Sequence, residues 1–93
     1  MTEQQWICER VTLVNALGLH ARAAASLARC ASAFKSEVKL KKDDTEVNAK
    51  SIMGLLMLAM PVGESFEIKA CGEDAQEAMG ALVGLVANKF GEA

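Results

Sequence analysis

The stretch Asn15-Ala16-Leu17-Gly18-Leu19-His20-Ala21-Arg22-Ala23-Ala24-Ala25 carries the only histidine of the chain, between a glycine turn and an alanine-rich run. Histidine side chains titrate near neutral pH, so a neutral ring nitrogen is available there as a nucleophile. A ring at the mouth of a helix suits phosphate chemistry. The N–H groups of the first turn lack acceptors within the helix and face an incoming anion. The helix dipole adds only ~0.3–1 kcal/mol, so it assists without deciding the matter. Arg22, two residues on, brings a guanidinium fork that matches phosphate oxygens. These residues alone leave open a surface histidine that serves as an N-cap, with Arg22 simply solvated.

The elements that must hold this stretch follow from pattern. Gln5 to Val14 is rich in β-formers and predicts a strand, though its alternation does not say which face is buried. Gly18 permits a turn over Asn15 to Leu19 by accepting a positive φ. From Ala21 to about Lys35, Ala24, Leu27, Ala28, Ala31 and Phe34 recur at helical spacing, while Arg22, Arg29 and Ser32 fall off the stripe. Glu37 to Lys42 and Thr45 to Ala49, joined by Asp43-Asp44, predict a hairpin with Val38, Leu40 and Val47 facing inward. Ser51 is a good N-cap for a short helix through Leu58, read from Ile52, Leu55, Leu56 and Ala59 and ended by Pro61 and Gly63. Ser65 to Cys71 alternates as a strand, with Phe66, Ile68 and Ala70 on one side. Asp74, with Glu77 three residues later, predicts a capping box opening a last helix. That helix presents Ala75, Met79, Leu82, Val83, Val86 and Phe90.

The order is β-α-β-β-α-β-α. It predicts an α+β, open-faced β-sandwich: a four-stranded antiparallel sheet with three helices on one face and its lysines toward water. A chain of 93 residues with 52% hydrophobic and 24% charged residues is read as a single domain over 1–93. Residues 1–5 are read as a loosely ordered N-terminal extension. A net charge of −2 argues against a nucleic-acid partner. Cys8, Cys30 and Cys71 are odd in number and lack a CxxC pairing. Each is expected as a small buried hydrophobe in a reducing, cytoplasmic setting, with no disulfide framework, metal or cofactor. Met1-Thr2-Glu3-Gln4-Gln5 lacks the basic and apolar regions of a signal peptide. The longest apolar candidate, Ile52 to Val62, is too short to span a bilayer, so no membrane insertion is expected.

Gly18-Leu19-His20-Ala21-Arg22 and Val47-Asn48-Ala49-Lys50-Ser51-Ile52-Met53-Gly54-Leu55 together resemble the histidine-containing phosphocarrier (HPr) family of the bacterial sugar phosphotransferase system. The resemblance runs from about Val11 to Phe90, with both motifs at the family's separation, and the family's fold is the open-faced sandwich read from pattern. It implies that His20 accepts a phosphoryl group from phosphoenolpyruvate through enzyme I and passes it to an enzyme IIA. Arg22 would neutralise the phosphate, and the first-turn N–H groups of Ala21, Arg22 and Ala23 would receive it. Ser51 matches the family's regulatory phosphorylation position, which implies a serine kinase/phosphorylase as a further partner; a plain N-cap serine stays open. Ile52, Met53 and Leu56 would form the partner surface, where adaptable Met and Ile side chains suit several partners. Core packing stays open for Ile52 and Leu56. A monomer that is a carrier rather than an enzyme is expected. A regulatory binding module of the nitrogen or catabolite-control branch is the alternative, although relatives specialised for control alone replace the histidine. The family usually has proline directly after the arginine, and this chain has Ala23. Alanine keeps a free N–H near the phosphate and leaves the first turn slightly more mobile.

Overall fold

The computed structural model describes residues 5–92. Apart from Gln5, the expected N-terminal extension lies outside the described residues. Four strands, β1 (Ile7–Thr12), β2 (Glu37–Lys42), β3 (Thr45–Asn48) and β4 (Ser65–Cys71), form one antiparallel sheet in the order β1-β4-β2-β3. Three helices, α1 (Ala21–Ser32), α2 (Ile52–Met57) and α3 (Ala75–Ala87), cover one face, and a short 3₁₀ turn (Lys89–Gly91) follows. The predicted architecture and element order are the observed ones.

The strand alternation sets the core. Val38 and Leu40 on β2 and Phe66, Ile68 and Ala70 on β4 are at most 1% exposed, and register places Leu40 beside Ile68 and Val47. The helix α1 contributes Ala23, Ala24, Leu27, Ala28 and Ala31. With one large side chain among five, its backbone comes close to its neighbours, which a Leu-rich face would prevent. On the open face Trp6 lies between Lys39 and Lys69, whose ammonium groups stand 5.1 and 5.5 Å from the ring centre. Glu46 bridges the same two lysines.

Element ends depart from expectation where tertiary contacts override local pattern. The strand β1 stops at Thr12, because Leu13 turns into the core and pairs with the loop before β4, its N–H donating to Glu64 O at 2.9 Å. The helix α1 stops at Ser32 and not near Lys35. The agent is Asp74, whose expected capping box does not form. Its carboxylate instead accepts the N–H groups of Lys35 and Ser36, each at 2.9 Å, and the Ser36 hydroxyl, fastening the α1–β2 turn to the start of α3. The helix α2 ends at Met57, before Pro61 and Gly63 can act, because Ala59 takes a left-handed φ of 50°. Leu55 and Leu58 anchor α2, while Ile52, Leu56 and Ala59 are exposed. Phe90 does not extend the α3 stripe: the helix ends at Ala87, and Phe90 sits in the 3₁₀ turn at φ 56°. Only Cys71 is a buried cysteine; Cys30 is half-buried and Cys8 is exposed on the open face. Among the described residues no helix is long and apolar enough to cross a membrane.

The bonds from Ser36 and the Lys35 amide hold the Asp74 carboxyl below its ordinary range. That stabilisation is complete above the unfolded value of about 3.9 and is lost as acid takes the pH down through the lower folded value. Asp74→Asn is therefore expected to melt at a lower temperature than the parent at neutral pH. The gap should narrow in acid; thermal melts from pH 7 to pH 2.5 measure it.

Candidate functional site

The loop that delivers His20 is held from both sides. Gly18 N–H donates to Asn15 O at 3.1 Å, and the Asn15 side-chain amide donates to Gly18 O at 2.7 Å, closing the turn on itself. Leu19 is 4% exposed and its N–H donates to Met60 O at 2.9 Å, tying the loop to the segment after α2. Gly18 stands at φ +66°, and a Cβ there would lie 2.5 Å from Met60 O. Glycine is required twice over, for its backbone angle and for this close approach.

His20 is the N-cap residue of α1, with φ −78° and ψ 177°, and its ring makes no bond to the first-turn amides. The first helical bond runs from Ala24 N–H to His20 O at 2.8 Å. The N–H groups of Ala21, Arg22 and Ala23 therefore have no acceptor within the helix. Arg22 is exposed, whereas the Ala23 side chain is fully buried. An open depression of about 800 Å³ surrounds the ring, lined by Ala16, Leu17, His20, Ala21, Arg22, Phe90, Gly91 and Glu92.

Sequence reasoning missed the partner of the ring, Glu92, and the residue that holds that partner, Asn15. Glu92 places Oε2 2.5 Å from His20 Nε2, and Asn15 Nδ2 reaches Glu92 Oε1 at 3.2 Å. The bond to His20, aided by Asn15 and the nearby Arg22 charge, holds the Glu92 carboxyl below its ordinary range. A carboxylate only accepts, so Nε2 is the ring nitrogen that carries hydrogen. In the neutral ring, Nδ1 then keeps the lone pair. The 72 residues between His20 and Glu92 give no local spacing that could reveal the pair.

The second motif stands apart from the ring. Ser51 caps α2, its Oγ accepting Gly54 N–H at 3.1 Å, and no hydrogen bond between Ser51 and His20 occurs among the described residues. Next to it Ile52, Met53 and Leu56 are 44%, 76% and 39% exposed, so they are surface and not core. Leu17 and Met57 are exposed as well, and neither was marked by the sequence pattern. No group of three or more His, Cys, Asp or Glu able to hold a metal occurs among the described residues.

Comparison with known proteins places this geometry. Residues 7–88 match the family model described as the PTS HPr component phosphorylation site. The chain is 51% identical over 81 residues to the phosphocarrier protein HPr of Cupriavidus necator, covering 87% of this chain and 91% of that one. It is 49% identical over 84 residues to the phosphocarrier protein HPr of Neisseria meningitidis, covering 90% and 94%. The crystal structure of HPr from Thermoanaerobacter tengcongensis superposes with a TM-score of 0.90 at 42% identity, over 94% of this chain and 98% of that one. The chain belongs to the HPr family of phosphocarriers of the phosphotransferase system.

Gly18→Ala is expected to destabilise the protein by more than about 1 kcal/mol, since alanine must occupy a positive φ against the Met60 carbonyl. Urea unfolding measures this; a loss of a few tenths would show that the loop relaxes freely.

Proposed function

We propose that this protein is a phosphocarrier whose own His20 is the substrate at both ends of a relay. Phospho-enzyme I, charged from phosphoenolpyruvate, donates the group, and enzyme IIA-type domains accept it. The observation that supports this reading most directly is the half-exposed ring at the mouth of α1. Among the described residues no hydrogen bond engages its Nδ1 or the Arg22 guanidinium, and the three first-turn amides have no acceptor within the helix. The Nδ1 lone pair attacks phosphorus, and the bond to the donor breaks with its electrons leaving on the donor. Discharge reverses these steps, and the ring returns unchanged. Arg22 and the N–H groups of Ala21, Arg22 and Ala23 receive the phosphoryl oxygens, as charge-assisted bonds to an anion require. No small molecule is turned over, so the protein acts as a carrier and not as an enzyme, working as a monomer. The three unpaired cysteines suit the cytoplasm.

Ile52, Met53 and Leu56 serve as the docking surface for both partners. Ser51 is the point of regulation by a serine kinase/phosphorylase, because a phosphate there sets negative charge at the edge of that apolar surface. A module acting only through Ser51 and α2 would leave the arrangement around His20 without use, which favours the carrier over the regulatory reading.

Incubation with enzyme I and labelled phosphoenolpyruvate is expected to place acid-labile, base-stable label on the protein and none on His20→Ala. Arg22→Ala should take label roughly tenfold more slowly, the worth of a charge-assisted bond. A serine kinase of this system should modify the parent and leave Ser51→Ala unlabelled. Ala23→Pro should slow amide exchange in the first turn of α1; equal protection would show that alanine leaves that turn no looser.

A further inference from the structure

His20 Nε2 and Asn15 Nδ2 hold the two oxygens of one carboxylate, that of Glu92, which returns from the opposite end of the chain. We propose that Glu92 is a positioning residue for phosphoryl transfer: held by Asn15, it keeps the ring proton on Nε2 and so keeps Nδ1 bare toward the first turn of α1. The inference rests on the carrier reading above and adds the group that controls its nucleophile.

Three observations carry it. A carboxylate 2.5 Å from Nε2 offers no proton, so the ring must supply one. The orientation of Asn15 is decided independently. Gly18 O can only accept, so the nitrogen of the buried Asn15 amide faces it at 2.7 Å and the same NH₂ group points at Glu92 Oε1. The carboxylate is thus matched by a donor on each oxygen. Finally, the chain bends to bring Glu92 in. Lys89 and Phe90 both take left-handed backbone angles of φ 56°, which non-glycine residues avoid, and Phe90 packs against the core. With side-chain exposures of 25% and 19%, the His20–Glu92 pair is also partly shielded from water.

In the transfer, the Nδ1 lone pair forms the bond to phosphorus while the donor departs with its electron pair. The proton stays on Nε2, where the ring gains positive charge that the Glu92 carboxylate offsets. On discharge the Nδ1–phosphorus bond breaks, its electrons return to the ring, and the neutral Nε2–H form is restored. Nothing is oxidised or reduced, and no proton leaves.

The amide isostere separates this role from packing. In Glu92→Gln, the Asn15 donor demands the amide oxygen, which turns the amide NH₂ toward Nε2. The ring must then accept at Nε2 and carry its proton on Nδ1, closing the nucleophile. Glu92→Ala removes the partner without imposing the wrong tautomer. Two measurements on the full chain decide: ¹⁵N shifts of the ring at pH 8.5, and the rate of label uptake from phospho-enzyme I. The parent is expected in the Nε2–H form. E92Q should shift toward Nδ1–H and take label more than about tenfold more slowly, since a misdirected tautomer can cost a catalytic imidazole as much as about 10⁴-fold. E92A should lose only about threefold, its ring keeping one hydrogen-bond partner fewer. A packing role gives the opposite order, because Gln fills the space of Glu. Parental shifts or parental uptake in E92Q, or E92A slower than E92Q, would overturn the proposal while leaving the carrier reading intact. Absence of uptake by the parent itself, with an enzyme I active on another carrier, would overturn the carrier reading and this role with it.

Discussion

The N–H of Leu19 and the carbonyl of Met60, 2.9 Å apart, tie the histidine loop to the body of the protein. With Leu19 buried and Gly18 pressed against the same carbonyl, the loop cannot lift without exposing an apolar side chain and orphaning a buried hydrogen bond. Everything that matters for chemistry hangs from this tie. It brings the chain into α1 with His20 extended at the N-cap, so the ring stands beside amides that have no acceptor within the helix. The anion site proposed for His20 would thus be made from backbone geometry with very few side chains.

The same economy runs through the scaffold. Alanines on the inner face of α1 let that helix sit low, leaving its first turn and the exposed face of α2 on an accessible surface. An open site suits a carrier, and the proposed docking on exposed apolar side chains would let specificity rest on a broad surface and not on a closed pocket. The open depression around His20, lined by exposed Leu17 as well as Arg22, has this character. The carboxylate of Glu92 adds what an open site otherwise lacks, a fixed partner for the ring.

Some residues were legible from local pattern because their roles are local. Ser51 was readable as an N-cap, the Asp43-Asp44 turn as a hairpin turn, and the alternation of β4 as a half-buried strand, since each depends on neighbours within a few positions. Asp74 shows where that logic fails. Its spacing to Glu77 fits a capping box, yet the better set of donors, Lys35 N–H, Ser36 N–H and the Ser36 hydroxyl, came from the turn after α1. Phe90 continued the apolar spacing of α3 but left the helix to close the end of the chain over α1.

The sequence by itself determined the antiparallel sheet, the three helices, the placing of His20 and Arg22 at a helix mouth and the family, because periodicity, caps and two motifs in register are properties of short stretches. Tertiary structure alone decided which ring nitrogen is free. That depends on Glu92, held by Asn15, meeting the His20 imidazole, a contact across 72 residues that no local spacing encodes. Helix ends and the exposure of Ile52, Met53 and Leu56 were likewise settled by packing. There, the competition for a buried place or a hydrogen-bond donor is decided by residues far away in the chain.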